Sequence, residues 1–343
     1  MKAIVQRQYG TAETLIIEDV PAPAATSAAT PALASDRVLI KVMATSLNAP
    51  DWRLLRGKPW ITRIFNGIQR PKDSIRGTDL SGVIVAVGSE IKHFSVGDSV
   101  MADLSTQGFG AWAEYVCVKE ALLGRKPENI SHLEASALPL TSVTALQAVR
   151  DQARVREGER VLIVGAAGGV GSYALQHAKI LGAHVTAVTS TKNAQQVLTL
   201  GADEVIDYTK TPLSVLSQSI AQGSAQGTTE AFDVIIAVNG FYPLSVYLDC
   251  LKPQGRFIMV GGSNLNQVTA VTLFGAFLSK KGGKTISGFL AKPSSPDLEH
   301  IRALVEASLL KPVIEREIPF EEIPQWIAEL EKGHVSGKIV ASL

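Results

Sequence analysis

The alternation of apolar and polar positions divides the chain into regions of different rhythm. From residue 1 to about residue 126, short apolar runs are separated by glycine, proline and charged residues, which predicts a compact antiparallel β unit. After about residue 130, apolar runs alternate with stretches of helical length, for example 170–181 and 194–200. The predicted strands of this second region are 161–165, 185–189, 204–207, 233–238, 256–260 and 285–289. Their nearly continuous apolar character predicts a doubly wound α/β domain, with a parallel sheet covered by helices on both faces.

The last 50 or so residues return to the first pattern. Helices are predicted over 297–309 and 323–332, and a final strand begins at residue 338. This strand comes too late to extend the parallel sheet, so we expect it to pair with the amino-terminal β unit. The predicted domains are a discontinuous catalytic domain, 1–129 with 291–343, and an inserted cofactor domain, 130–290.

Composition and charge remove several classes of function. Of the 343 residues, 46% are hydrophobic and 19% charged, which excludes global disorder. The net charge of +1 provides no general field for nucleic acid. Two cysteines, Cys117 and Cys250, cannot form a disulfide framework or a four-cysteine zinc lobe. No window contains the roughly 20 apolar residues of a membrane helix, and we expect a cytoplasmic protein.

A glycine cluster gives the sharpest chemical signal. The run Val161-Leu-Ile-Val-Gly-Ala-Ala-Gly-Gly-Val-Gly leads from a predicted strand into a predicted helix. Such a turn lets the backbone approach a pyrophosphate at the positive end of the helix dipole. Ala166 occupies the first glycine position of the usual GxGxxG pattern, so the assignment depends on the strand-turn-helix context. The predicted cofactor contacts are Ala167, Gly168, Gly169, Val170 and Gly171; tight packing of the helix on the sheet is the alternative.

The end of the second predicted strand indicates which dinucleotide binds. Enzymes that use NAD usually carry an acidic residue there for the ribose 2′-hydroxyl. This chain has Ser190-Thr-Lys-Asn instead, and a hydroxyl beside Lys192 suits a 2′-phosphate. Ser190 and Lys192 therefore favour NADPH over NADH. An ordinary solvated lysine is the alternative interpretation of Lys192.

Several motifs in order resemble one family over essentially the whole chain. They are Ser46-Leu-Asn-Ala-Pro-Asp, Arg76-Gly-Thr-Asp-Leu-Ser-Gly, Phe94-Ser-Val-Gly-Asp, Leu138-Pro-Leu-Thr-Ser, Ala167-Gly-Gly-Val-Gly and Leu200-Gly-Ala-Asp-Glu-Val-Ile-Asp-Tyr. The set resembles the medium-chain dehydrogenase/reductase superfamily and, within it, the zinc-independent quinone oxidoreductase branch. This resemblance implies a GroES-like β-rich catalytic domain and a Rossmann cofactor domain.

The resemblance also implies a reaction without a metal ion. Zinc-dependent members place a cysteine near the present Asn48 and Gly-His-Glu where this chain has Gly77-Thr-Asp, so neither ligand is present. Without a Lewis acid, oxidation of simple alcohols is disfavoured. A quinone or an α,β-unsaturated carbonyl accepts hydride more readily, because the developing charge spreads over a conjugated system.

Family positions imply roles for individual residues. Asn48 and Asp51 are expected near the nicotinamide ribose and the substrate, and the hydroxyl of Thr141 near the nicotinamide. The alternatives are a loop-stabilising Asn48, a helix-capping Asp51 and a helix-start Thr141. The remaining candidate cofactor contacts are Tyr208, Val238, Asn239, Gly261, Gly262, Phe289 and Lys338. Core packing of Tyr208 and Phe289 and a solvated Lys338 are the alternatives; Lys338 is otherwise expected near the cofactor phosphates.

The substrate region is less well defined. Trp52 and Trp60 occupy positions where many quinone oxidoreductases have tyrosines, which puts a tyrosine proton donor in doubt. The apolar residues of segment 59–73 are interpreted as a lid for a lipophilic acceptor, as a peripheral membrane contact or as local core. The Ala/Pro-rich segment 21–35 is predicted to be a surface insertion without chemistry.

These features together predict an NADPH-dependent, zinc-independent reductase of small-molecule quinones or enones. Reduction of an enoyl thioester, and NADPH binding without turnover, are the alternatives. The resemblance implies a homodimer, which the apolar segment 271–278 and an edge strand near Ile286 could form by strand pairing; coverage of this strand by a helix is the alternative.

Overall fold

A computed structural model describes residues 1–23, 33–60, 62–221, 231–262, 265–279, 283–333 and 335–343. Most of the predicted insertion 21–35, together with Ile61 of segment 59–73 and His334, lies outside these residues. Contacts between described residues form two compact units. We call Met1–Val143 with Lys292–Leu343 the β-rich unit, and Thr144–Ala291 the doubly wound unit.

The secondary-structure elements follow the two rhythms of the sequence. The strands are β1 (Lys2–Gln6), β2 (Leu15–Asp19), β3 (Arg37–Ser46), β4 (Asp79–Val87), β5 (Ser99–Asp103), β6 (Tyr115–Lys119), β7 (Leu123–Arg125), β8 (Arg160–Val164), β9 (His184–Thr189), β10 (Glu204–Asp207), β11 (Phe232–Ala237), β12 (Leu251–Met259), β13 (Thr285–Gly288), β14 (Ile314–Pro319) and β15 (Lys338–Ser342). The α-helices are α1 (Ala49–Leu55), α2 (Thr62–Asn66), α3 (His132–Ser136), α4 (Pro139–Leu146), α5 (Gly169–Ile180), α6 (Ala194–Thr199), α7 (Leu213–Ala221), α8 (Leu244–Asp249), α9 (Leu265–Ser279), α10 (Ser295–Glu306) and α11 (Ile323–Glu331).

Besides the two-stranded sheet β1-β2, the β-rich unit has a larger sheet that joins the last strand to strands from the amino-terminal part of the chain. Its strand order is β14-β15-β3-β4-β5-β7, and β6 also pairs with β3. β15 runs antiparallel to β3 with Val340 opposite Ser46, which is the pairing expected for the last strand. The backbone N–H of Leu47 also donates to the carbonyl of Ile339, at 3.0 Å. This register holds the start of β15 against the loop that follows β3.

Residues 130–143 group with the β-rich unit, whereas the sequence analysis assigned them to the cofactor domain. Helix α3 packs on β3, β4 and β15, and it is short and capped by Ser131. The local sequence does not show which sheet this segment covers.

The doubly wound unit has one parallel sheet of strand order β10-β9-β8-β11-β12-β13. Its central strands are buried, and Leu162, Ile235 and Phe257 have no exposed surface. β12 begins five residues before the predicted start at 256, where an irregularity in its pairing with β11 accommodates Pro253. The chain reverses direction across the sheet between β8 and β11, and ligands of such folds bind beside this point.

Across the described ranges, no helix is long and apolar enough to cross a bilayer.

Candidate active site

The glycine turn joins β8 to α5 in the doubly wound unit. Gly165, directly after the strand, has φ +83°, a left-handed conformation that favours glycine. A β-carbon at Gly171 would lie 2.1 Å from the carbonyl oxygen of Gly165, so the first turn of α5 packs directly on the turn backbone. A β-carbon at Gly168, the N-cap, would meet only that carbonyl at 3.5 Å. The first N–H groups of a helix lack intrahelical partners, and the open side at Gly168 suits an approaching anionic group.

The sequence analysis did not include Gly165 among the candidates. The sequence feature that could have identified Gly165 is its place immediately after an apolar strand, where the chain must turn sharply. The structure gives Gly165 the conformational role, while Ala166 and Ala167 are buried behind it.

Other candidates lie at the same edge of the sheet, because all six strands are parallel. They are Ser190 and Lys192 after β9, Tyr208 after β10, Val238 and Asn239 after β11, Gly261 and Gly262 after β12, and Phe289 after β13. The backbone N–H of Asn239 donates to the carbonyl of Val164 at 3.2 Å, which fixes this loop beside the glycine turn. The N–H of Gly240 donates to Gly261 at 3.1 Å, so the loops after β11 and β12 are also joined.

Lys192 is exposed in the short turn after β9, and a carboxylate from the next strand braces this turn. Asp207 accepts hydrogen bonds from the hydroxyl of Thr191 and, at 3.0 Å, from the N–H of Thr209. These hydrogen bonds, that of Thr191 foremost, lower the pKa of Asp207 to about 2. The sequence analysis missed Asp207, which does not follow the strand where an acidic residue is usually sought.

Tyr208 and Phe289 are both partly exposed at this edge. The ring of Tyr208 meets that of Phe241 edge-on, with 6.0 Å between centroids. Tyr208 is therefore a surface aromatic rather than a core residue.

The β-rich unit holds a buried polar cluster around Asn48. We call Ser46, Asn48, Thr78, Asp79 and Lys338 the Asn48 cluster; each is at most 3% exposed. The amide nitrogen of Asn48 donates to the hydroxyl of Thr78 at 2.8 Å and to Asp79 Oδ2 at 3.0 Å, and Oδ1 accepts from the ammonium of Lys338. Both amide hydrogens of Asn48 therefore have acceptors within the cluster.

Asp51 caps α1. Its carboxylate accepts from the backbone N–H of Asn48 at 2.7 Å, which is the helix-cap arrangement. Burial, with a smaller contribution from the nearby charge of Asp79, raises the pKa of Asp51 to about 7, although the hydrogen bond from Asn48 opposes the shift.

Thr141 is the third residue of α4 and is buried. Its hydroxyl donates to the carbonyl of Ala137, at 2.9 Å, so it makes a helix-type back-bond rather than an N-cap.

Lys338 does not have a solvated ammonium. It donates to the carbonyl of Leu47 at 3.1 Å and to Asn48 Oδ1, and it lies 3.5 Å from Asp79 Oδ2. The solvated-lysine alternative is therefore wrong, and the contact of Lys338 with the cofactor stays a prediction. The buried position of Lys338 follows from the register of β15 on β3, which the sequence pattern does not specify.

Two family models match the chain: the alcohol dehydrogenase GroES-like domain at residues 34–128 and the zinc-binding dehydrogenase at residues 200–340. The chloroplast envelope quinone oxidoreductase homolog of Arabidopsis thaliana is 35% identical, covering 89% of this chain and 89% of its own. The chloroplastic NADPH-dependent alkenal/one oxidoreductase of the same plant is 32% identical, covering 99% of this chain and 79% of its own. The solved quinone oxidoreductase from Coxiella burnetii is 30% identical with a TM-score of 0.83, covering 100% of this chain and 99% of its own.

This chain belongs to the medium-chain dehydrogenase/reductase superfamily, in its quinone oxidoreductase branch. It is an oxidoreductase, and its β-rich unit is the GroES-like domain and its doubly wound unit the Rossmann-type domain. The superfamily depends on pyridine nucleotides, and the glycine turn has the open, glycine-lined geometry that such a ligand needs.

A catalytic zinc does not fit the residues of this superfamily member. Among the residues with described positions, no group of three or more His, Cys, Asp or Glu side chains could hold an ion. In the Asn48 cluster, the Asn48 amide donates hydrogen bonds where a ligand would have to accept a metal, and the Lys338 ammonium would repel one.

The two tryptophans of the predicted substrate region lie in different environments. Trp52 packs partly buried against the core that includes Leu55 and Ile327. Trp60 is 63% exposed, and Phe65 in α2 is 80% exposed. The structure therefore supports local core packing for Trp52 and not for Trp60 or Phe65.

Proposed function

We propose that this oxidoreductase uses NADPH to reduce quinones or the C=C bond of α,β-unsaturated carbonyls, without a metal ion. The observation that carries the proposal is the glycine turn at the reversal point of the parallel sheet, with an open N-cap at Gly168. When bound, NADPH supplies a hydride from the nicotinamide. The names of the two plant relatives associate this branch with quinones and with alkenals and alkenones.

The residues of the chain have separate tasks in this proposal. The glycine turn binds the pyrophosphate through backbone N–H groups, and the loops after β9 to β13 surround the rest of the coenzyme. Ser190 and Lys192 bind the 2′-phosphate, since hydroxyl and ammonium groups both donate to it. Asn48 and Thr141 orient the nicotinamide and the acceptor, whose developing negative charge is stabilised by polar groups.

The chemistry of the Asn48 cluster supports a reaction without a catalytic metal. Conjugated acceptors need no Lewis acid, because hydrogen-bond donors can support the enolate or hydroquinone anion. The buried ammonium of Lys338 supplies a fixed positive charge in the region where zinc-dependent members carry their metal ligands.

A substrate panel tests the proposal. Metal-free protein is mixed with NADPH and, separately, a 1,4-quinone, a short enal and an enoyl thioester, and the nicotinamide absorbance is followed. We expect oxidation with the quinone or the enal, unaffected by a chelator. Preference for the thioester would overturn the assignment of substrate class. NADPH binding without turnover of any acceptor would support a binding protein instead.

A homodimer is part of the proposal. β13 is the last strand in the sheet order, and the neighbouring α9 exposes Leu273, Phe274 and Phe277. An edge strand beside an exposed apolar helix favours pairing with a second copy. Sedimentation should give the mass of two chains, and Phe274→Ser with Phe277→Ser should give one, while the exposed control Val96→Ser leaves the mass unchanged. A monomeric wild-type protein would contradict this arrangement.

A further inference from the structure

Asp79 is the meeting point of four segments of the β-rich unit. Its carboxylate accepts from the hydroxyl of Ser46 at 3.1 Å, from Asn48 Nδ2 at 3.0 Å and from the backbone N–H of Leu140 at 2.9 Å. The ammonium of Lys338 lies 3.5 Å away. The side chain of Asp79 has no exposed surface, so these groups replace water completely. The end of β3, the start of α1, the start of α4 and the start of β15 therefore share one carboxylate.

Lys338 decides which way the Asn48 amide faces. An ammonium only donates hydrogen bonds, so the oxygen of the amide must face Lys338. The nitrogen then faces the acceptors, Thr78 Oγ1 and Asp79 Oδ2. Reversing the amide would place its N–H groups against the ammonium. The charges of Asp79 and Lys338 thus select a single orientation of Asn48.

The same carboxylate holds the helix that carries Thr141. The N–H of Leu140 is in the first turn of α4, and Asp79 Oδ1 accepts its hydrogen bond in the manner of an N-terminal cap. Thr141 is the next residue, with its hydroxyl fixed on Ala137. The side chain of Asp79 therefore positions both Asn48 and Thr141, which the sequence analysis selected, although it did not select Asp79.

Other charged groups face this pair. Asp51 is buried and interacts with Arg76 and with both members of the pair. Asp103 is buried and interacts with Asp79 and Lys338. Burial raises the pKa of Asp79 and lowers that of Lys338, while the attraction between the two opposes both shifts. An isolated ion at either position would be far more costly than the pair.

We infer that Asp79 and Lys338 form a buried ion pair that positions Asn48 and the start of α4 for the reduction. This inference rests on the proposed function. Neither side chain is assigned a contact with the acceptor, and both act through the residues that they hold.

A double-mutant cycle measures this dependence. In Lys338→Met we expect kcat with the quinone or enal to fall about 10²-fold, the loss typical of a misoriented group, with the Kd for NADPH unchanged within twofold. Because Lys338 acts through the amide, adding Lys338→Met to Asn48→Ala should cost no more than Asn48→Ala alone. The exposed control Lys332→Met should leave kcat unchanged. Independent, multiplicative losses in the double variant would overturn the inference.

A second variant tests the inference if Lys338→Met does not fold. Asp79→Asn with Lys338→Met removes both charges, and such neutral replacements of a buried pair are often tolerated. We expect this protein to fold and bind NADPH but to keep the low kcat, because nothing selects the amide orientation. Recovery of wild-type kcat would show that the pair is only structural, and would overturn the inference.

A crystal structure of Lys338→Met separates this inference from the proposed function. We expect the Asn48 amide to rotate and the first turn of α4 to shift, whether or not the wild-type protein turns over any acceptor. An unchanged Asn48 and α4 would overturn the positioning role. Lack of wild-type turnover with a rotated amide would overturn the proposed function alone.

Discussion

The glycine turn and the Asn48 cluster are built in opposite ways. The turn uses seven consecutive residues, 165–171, and its geometry depends on missing side chains that let backbone approach backbone. The cluster joins side chains as distant in sequence as Asn48 and Lys338, which are 290 positions apart, and its geometry depends on buried charge and hydrogen bonds. Steric fit determines the geometry of the glycine turn, and compensation of buried charge determines that of the Asn48 cluster. A substitution in the turn should therefore act through packing, whereas a substitution in the cluster should act through uncompensated charge.

The largest effect should come from breaking the buried pair. In Lys338→Met, the buried carboxylate of Asp79 loses its counter-charge, and uncompensated buried charges of this kind cost about 3–5 kcal/mol. We expect the free energy of unfolding, measured in urea, to fall by about that amount. In the variant that also carries Asp79→Asn, most of the loss should disappear. A loss below about 1 kcal/mol in Lys338→Met would mean that the pair resembles a surface salt bridge.

The next effect should come from overfilling the glycine turn. Gly171→Ala places a β-carbon 2.1 Å from a backbone oxygen, so the helix must move, and overpacking of this kind costs about 1–3 kcal/mol. The free energy of unfolding should fall accordingly and NADPH binding should be lost. Gly168→Ala is the matched control. Its β-carbon would lie 3.5 Å from the carbonyl oxygen of Gly165, an ordinary contact distance, so the free energy of unfolding should stay unchanged. Equal stability of the two variants would show that close packing does not define the turn.

Buried and exposed carboxyl groups of the two units should respond to pH with opposite signs. Burial raises the pKa of Asp51 and Asp103 to about 7, so these groups hold protons in the folded protein that they have lost when unfolded. Their contribution to stability is present below pH 4 and is lost as the pH rises towards 7. Asp207, with its pKa lowered to about 2, contributes stability above pH 4 that is lost as the pH falls towards 2.

Unfolding in urea at pH 5 and pH 8 measures the first trend. The wild-type protein should lose stability from these two groups as the pH rises, and Asp51→Asn should flatten the curve, since one of the two titrations is removed. Asp207→Asn should leave the curve unchanged between these pH values. A steeper curve in Asp51→Asn would contradict the assignment.

The smallest effect should be a loss of affinity for NADPH that does not extend to NADH. Lys192→Ala removes one exposed cation, so the Kd for NADPH should rise about tenfold while that for NADH stays nearly constant. The control Lys92→Ala removes an exposed lysine of the β-rich unit and should change neither dissociation constant. Calorimetric titration measures both constants. An equal change for NADPH and NADH would place the 2′-phosphate elsewhere.

The contrast explains what the sequence could predict. The alternation of strands and helices and the glycine cluster are local patterns, so they predict the doubly wound unit and its sheet edge. The sequence analysis omitted Asp79 because a single aspartate at the start of a strand carries no pattern. It did not predict that Lys338 lies against Asn48 and Asp79, because this position follows from the pairing of β15 with β3, which involves residues nearly 300 positions away. The sequence analysis could have selected Gly165, since a glycine that follows an apolar strand already indicates a sharp turn.

Calorimetric titration of NADPH into metal-free protein tests the central claim most directly. We predict one NADPH bound per chain, with the same affinity in the presence of a chelator and no binding in Gly171→Ala. Absence of binding heat in the wild-type protein, or undiminished binding in Gly171→Ala, would contradict the claim that the glycine turn holds the coenzyme.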